Sequence, residues 1–241
     1  MTELEQLRSQ AESWGVHLSN AQLSMMGNYA YVLASYELAS VIGPKERAKI
    51  ILEHLSDALS CYVVQDLHWV SSVIDVGAGG GLPGIPLGIV RSDLHVTLLE
   101  AIEKKVRFLN YAQAALGLPN VGVLHARAEE AAKQPAYREA FQFASARALA
   151  ALPVVVEYCA PFVCVGGTIL AMKGRLAKRE LYTGVAASRE LGVEFREVRE
   201  VKYQAHLPQK ERNLVVLDKV AATPSRFPRR VGVAKKRPLG S

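Results

Sequence analysis

Between Ser71 and Ile89 the chain reads SSVIDVGAGGGLPGIPLGI, and this stretch holds the residues best placed to do chemistry. Val73, Ile74 and Val76 form a short β-branched run that carries Asp75, and Gly77, Gly79, Gly80 and Gly81 follow at once. The pattern is a strand, a glycine turn and a helix start, with Pro83 and Pro86 suited to a first helical turn. Glycine is needed where backbone N–H groups must approach a ligand, because positive φ is then allowed and no Cβ intervenes. Two ligands fit the spacing. Gly79-x-Gly81-x-x-Gly84 matches a dinucleotide fingerprint, and Asp75-x-Gly77-x-Gly79-x-Gly81 matches the acidic-glycine loop of S-adenosylmethionine-dependent methyltransferases. A carboxylate two residues before the first glycine repels a pyrophosphate but suits ammonium and sulfonium groups, so Asp75 favours the methyl donor.

Other candidates stand at the ends of apolar runs. Leu94 to Leu99 reads as a second strand ending at Glu100, an acid about 20 residues beyond a glycine loop that can accept ribose hydroxyls. Its competing role is a charge on a helix N-terminus. Val121 to Leu124 makes a third strand, after which Ala128 and Glu129 either face an adenine or simply start a helix. Arg147 closes the fourth strand, Phe141 to Ala146, and Lys173 closes the fifth, Thr168 to Met172. Ligands of open α/β sheets bind outside those carboxyl ends. His54 and Asp57, three residues apart, share a helix face and either orient a substrate or pack helices. Lys104, Lys105 and Arg107 read as a solvated helix face or an aid to holding RNA.

The elements that must position these groups are legible as periodic segments. Residues 3–14 and Ser19 to Glu37 read as amphipathic helices, the second with Ser19 and Gln22 as a capping box. Pro44 opens a third helix running through Ile50, Ile51, Leu55 and Leu59. From Ser71 strands alternate with helices, the signature of a parallel α/β sheet, which segments around 195–201 and 213–219 close. The expected organisation is a helical extension over residues 1–65, a core over 66–222 and a basic tail over 223–241.

Composition bounds the rest. A chain of 241 residues, 50% hydrophobic, buries a full core. Cys61, Cys159 and Cys164 lack metal-ligand spacing and imply a reducing compartment, with no metal site expected. No secretory leader is expected, and the apolar stretch from Ala148 to Met172 is broken by Pro153, Glu157, Pro161 and Gly166-Gly167, so no membrane association and a cytoplasmic protein are expected. The net charge of +6 lies entirely in Arg226, Arg229, Arg230, Lys235, Lys236 and Arg237. Such a patch attracts a polyanion such as RNA, or else is a solvated terminus.

Taken together, these residues resemble the RsmG (GidB) family of bacterial 16S rRNA methyltransferases from about Leu33 onward. The resemblance is carried by His54-x-x-Asp57, Asp75-Val-Gly-Ala-Gly-Gly-Gly-Leu-Pro-Gly-Ile-Pro, Leu98-Leu99-Glu100, Ala146-Arg147-Ala148, Lys173-Gly174, Arg212-Asn-Leu-Val, Phe227-Pro-Arg-Arg and Lys236-Arg-Pro-Leu. Glu37-Leu38-Ala39 replaces the family's usual Asn-Leu-Thr, Ala146 a Ser, and Gln142 an Asp. The resemblance implies an α/β, Rossmann-like S-adenosylmethionine-dependent methyltransferase fold, with a seven-stranded, mostly parallel sheet and an N-terminal helical extension. It implies methylation at N7 of a guanosine in 16S rRNA, position 527 in the 530 loop. Donor contacts are expected from Asp75, Gly77, Gly79, Gly81, Leu82, Glu100, Ala101, Ile102, Ala128, Glu129 and Arg147. Arg147 and Lys173 would position the base without a general base, and Arg229, Arg230, Lys235, Lys236 and Arg237 would hold the RNA. The expected partner is 16S rRNA or the small ribosomal subunit, met by a monomer. Two other classes stay open: an NAD-dependent oxidoreductase, resting on Gly79-x-Gly81-x-x-Gly84, and an RNA-binding protein without catalysis, resting on the tail and the altered Glu37 and Ala146.

Overall fold

Short apolar runs rich in β-branched residues become strands, and each places successive side chains on opposite faces. The computed structural model of the chain describes every residue except Ala39, Pro44, His206, Gln209 and Ser241. Its strands are β1 Ser72–Val76, β2 His95–Glu100, β3 Val121–His125, β4 Phe141–Arg147, β5 Val163–Lys173, β6 Val193–Glu200 and β7 Asn213–Lys219. They form one seven-stranded sheet in the order β3-β2-β1-β4-β5-β7-β6. The pairs among β1 to β5 are parallel, and β7 runs antiparallel to both β5 and β6. Strand order reverses between β1 and β4, so a crevice opens beyond their carboxyl ends.

The alternation on β1 shows how the two cores arise. Val73 packs with Leu7, Met26, Tyr29, Leu33, Ile51, Leu55, Phe143 and Leu170, so the N-terminal helices cover this face. Ile74 turns the other way, toward Ala144, Val156, Phe162, Ile169 and Val215. Those helices include Glu3–Ser13 and Asn20–Ser35, and Ser19 with Gln22 forms the expected capping box. A third helical run combines an α-turn Arg47–Lys49, a π segment Ile50–Leu55 and an α segment Ser56–Leu59. The expected start at Pro44 lies outside the described residues. Among the described residues no helix is long and apolar enough to cross a membrane.

The carboxyl-terminal segment departs from a plain basic tail. Phe227 is buried in the second core, and Arg138 donates to the Phe227 and Thr223 carbonyls at 3.0 and 2.7 Å. Arg229 meets Glu157, a fully buried carboxylate on helix Leu152–Cys159, through Nε at 2.9 Å and Nη2 at 2.6 Å. Removing one partner of a buried pair strands the other charge, which is far worse than removing both. Arg229→Met is therefore expected to lower unfolding stability by about 3 kcal/mol. Adding Glu157→Met should restore much of it. Urea denaturation checks this, and an Arg229→Met midpoint equal to wild type would contradict it.

Candidate active site

The glycine turn after β1 is built as its composition demands. Gly77, Gly79 and Gly81 have φ of +74°, +59° and +84°, a region that L side chains rarely adopt. The Gly77 and Ala78 N–H groups both bond the Leu99 carbonyl, which ties the turn to β2. From the helical extension the Tyr29 hydroxyl donates to the Gly80 carbonyl. A Cβ at Gly84 would lie 2.2 Å from Leu98 Cδ2 and 3.1 Å from Asp75 Oδ2, so only glycine lets helix Gly84–Val90 seat so closely.

Asp75 faces inward under that helix and does not reach the crevice. It is 1% exposed, and Oδ2 accepts the Gly84 N–H at 3.0 Å while Oδ1 accepts the Ser145 hydroxyl at 3.1 Å. This corrects the expectation of a donor contact: the acid clamps β1, β4 and the helix start together. Burial pushes its carboxyl up from the ordinary 3.8 to about 6, against the opposing pull of the Gly84 and Ser145 hydrogen bonds and Arg147. Because the folded value is raised, the associated stability is present below 3.8 and is lost as pH rises through about 6. Asp75→Asn keeps an acceptor for Gly84 and a polar partner for Ser145. Its stability relative to wild type is expected to rise between about pH 4 and 6, as denaturation series across that range would show, and a pH-independent difference would contradict it.

Beyond the turn lies a cavity of about 340 Å³. Gly77, Glu100, Ala101 and Ile102 line one side, and Ala128, Glu129 and Tyr158 the other, with Ala148, Leu149, Gly232 and Lys235 among the remaining lining. Its size, and walls that mix Glu100, Glu129 and Tyr158 with apolar groups such as Leu99, Ile102 and Leu149, suit a nucleoside. The Glu100 carboxylate, 5% exposed, accepts the Gly79 N–H on Oε2 at 3.0 Å and those of Ala101 and Ile102 on Oε1, both at 2.9 Å. An ionised carboxylate has about four lone-pair positions, so Oε2 keeps room for a ligand hydroxyl. Glu129, equally buried, accepts the Gly232 N–H at 3.0 Å. Two buried carboxylates beside the glycine turn repel a pyrophosphate and accommodate a ligand that carries cationic groups.

At the end of β4 a second constellation forms. Arg147 Nη1 meets Asp57 Oδ2 at 3.1 Å, and Nη2 bonds His54 Nδ1 at 3.1 Å. Arg212 Nε donates to Asp57 Oδ1 at 2.5 Å, and the Tyr203 hydroxyl approaches the same oxygen at 3.4 Å. Asp57 is 1% exposed, so one buried acid gathers two arginines, one from the end of β4 and one from just before β7. Arginine cannot accept, so His54 Nδ1 does, which puts the ring proton on Nε2. Burial first and Arg147 second drive His54 down to about 4, so the ring is neutral at pH 7.

The description "rRNA small subunit methyltransferase G" belongs to a family model that matches residues 22–215. A ribosomal RNA small subunit methyltransferase G of Rubrobacter xylanophilus is 45% identical over 236 residues, spanning 98% of this chain and 90% of that one. Its namesake in Bacillus mycoides is 36% identical over 237 residues, 98% of each chain. The chain belongs to the methyltransferase G family. That membership sets aside the NAD-dependent oxidoreductase, and labelled methyl transfer to small-subunit RNA separates an active member from an RNA-binding protein without catalysis. A solved 16S rRNA (adenine(1408)-N(1))-methyltransferase variant from Catenulisporales acidiphilia shares the fold, with TM-score 0.53 and 14% identity over 66% of this chain and 89% of that one.

Several expected site residues of this methyltransferase G family member have other partners. Lys173 pairs with Glu180 Oε1 at 2.7 Å and donates to the Ala150 carbonyl at 2.8 Å, and the same Oε1 accepts the Leu152 N–H. Lys173 thus braces the connection after β4 and does not point at a substrate. That connection includes Ala148 at φ +52°. Gly79, Gly81, Leu82 and Arg147 shape the turn and its neighbourhood without lining the cavity. Gln142 accepts the Ser71 N–H at 2.7 Å, at the opposite end of β4 from Arg147, so this departure from the family pattern does not touch the crevice. Ala146 is buried in the second core and Glu37 is exposed, while Ala39 lies outside the described residues. In the tail, Arg229 is taken by Glu157, which corrects its assignment to RNA. Gly232 and Lys235 line the cavity itself, so removing the tail would open the pocket.

Proposed function

We propose that the protein transfers the methyl group of S-adenosylmethionine to N7 of a guanosine in 16S rRNA, acting as a cytoplasmic monomer on the small subunit or its RNA. The observation that carries this reading is the juxtaposition of a nucleoside-sized cavity floored by Glu100 with an arginine fixed beside it by Asp57. When bound, S-adenosylmethionine supplies an electrophilic methyl on a sulfonium centre. Glu100 would accept a ribose hydroxyl on its open lone pair, and the backbone of Ala101 and Ile102 with Ala128 and Glu129 would flank the adenine.

Guanine N7 carries a free lone pair and loses no proton on methylation, so the site needs alignment and no base. His54, whose Nδ1 lone pair accepts from Arg147, and the inward-facing Asp75 agree with that requirement. Arg147 has five N–H donors, of which Nη1 and one on Nη2 are engaged by Asp57 and His54. Its Nε–H and second Nη2–H are left to hold the guanine O6, which keeps N7 open to attack. The extension, residues 1–65, supplies Tyr29, His54 and Asp57 and is on this reading part of the site.

The test is transfer of labelled methyl to small subunits from a strain lacking the gene, followed by borohydride reduction and aniline scission, which cut RNA at N7-methylguanosine. Label coinciding with a single cut is the expected result. Label that resists scission would overturn methylation at N7.

A further inference from the structure

Three cations surround the mouth of the cavity, and none has an ion-pair partner among the described residues. Lys105 comes from helix Glu103–Leu116, Arg127 precedes the turn Ala128–Ala131, and Lys235 lies in the carboxyl-terminal turn Val233–Lys236. All three line the cavity whose inner polar groups are the buried Glu100 and Glu129. Those carboxylates accept backbone N–H groups and do not neutralise the cations. Nearby Arg107, by contrast, is paired with Glu103, and Arg229 with Glu157.

S-adenosylmethionine carries a single carboxylate, so three unpaired cations exceed what the pocket's own ligand can neutralise. Such a rim suits an anion that passes over the mouth. The tail adds a second link, because the segment that presents Lys235 also caps Glu129 through the Gly232 N–H and is anchored by the buried Arg229–Glu157 pair. Arg230, Lys236 and Arg237 extend the same charge along that segment.

We propose that the phosphate backbone of the substrate RNA crosses the adenosine mouth of the donor pocket on Lys105, Arg127 and Lys235, so that bound RNA covers the donor. This rests on the rRNA-methyltransferase reading. It adds Arg127 and joins into one surface the tail and the helix that carries Lys105, which the sequence named apart from each other. Because coupling between two ligands is reciprocal, RNA then slows donor release and the donor tightens RNA binding.

The test uses the full-length protein and a 16S rRNA transcript. RNA affinity is measured over a salt series without donor, for wild type, for a Lys105→Gln/Arg127→Gln/Lys235→Gln triple variant and for a Lys105→Arg/Arg127→Lys/Lys235→Arg triple variant. Each phosphate contact contributes about 0.7–0.9 to the slope of log affinity against log salt, so the neutral triple should lower its magnitude by roughly 2 to 3. The charge-conserving triple should restore it. Release of labelled S-adenosylmethionine from wild type should slow by at least about fivefold when RNA is bound. An unchanged salt slope in the neutral triple, loss of the slope in both triples, or donor release indifferent to RNA would each overturn the proposal. If wild type still methylates guanosine N7 in that case, only the rim fails and the functional reading stands.

Discussion

Asp57→Asn is expected to reduce methyl transfer about 100-fold, because displacing a positioning group by an ångström costs that much even away from the reacting atoms. Asp57 is the ion-pair partner of both Arg147 and Arg212 and the acceptor for the Tyr203 hydroxyl, and it is almost fully buried. Without its charge two guanidinium groups face each other across a neutral amide, and Arg147 loses the contact that fixes its free edge. The stability cost should be about 3 kcal/mol, the low end for breaking a buried pair, since Arg147 and Arg212 keep 15% and 25% side-chain exposure. Arg212→Met removes one of the two pairs and leaves Arg147 held, so it should be the milder change in turnover. Single-turnover methylation and urea denaturation on the same preparations separate the two effects. An Asp57→Asn enzyme within about threefold of wild type, a difference under 1 kcal/mol, would show that Arg147 is not positioned this way.

Glu100→Ala is the second large effect, and it falls on the donor. Hydrogen bonds to charged groups contribute about 1.5–3 kcal/mol each, and here the carboxylate also holds the Gly79, Ala101 and Ile102 N–H groups that shape the cavity. Losing the ribose contact and that local order should weaken S-adenosylmethionine binding by about 3 kcal/mol, roughly 150-fold in Kd. Calorimetric titration reads this directly. At saturating donor, turnover should recover to within about tenfold of wild type, because the acid acts on binding and not on the transfer. A Kd within about threefold of wild type would remove Glu100 from the donor site.

The strands were legible because their apolar runs are short, β-branched and bounded by turn residues. Asn213–Lys219 matches the expected segment residue for residue, and the others differ by a few residues, most at the start of Val163–Lys173. Glu100 was legible from its place at a strand end. Partners far apart in sequence were not. Glu157 reads as a polar interruption of an apolar run, and nothing local reveals that Arg229, 72 residues on, will neutralise it. In the same way Lys173 looked free until Glu180 came round on the following helix. Asp75 was placed correctly on its strand, but alternation turns its side chain under helix Gly84–Val90 and away from the crevice. His54 and Asp57 were seen to share a helix face, while their convergence on Arg147 depends on how that helical run packs against the sheet, which no sequence period encodes.

Ultraviolet cross-linking of labelled S-adenosylmethionine to the purified protein, followed by tryptic mapping, tests the donor site most directly. The label should appear in the peptides spanning residues 92–104 and 128–133, which carry Glu100 to Ile102 and Ala128 with Glu129. Label confined instead to the hollow lined by Glu200, Tyr203, Lys210 and Glu211 would place the donor elsewhere and contradict the site described here.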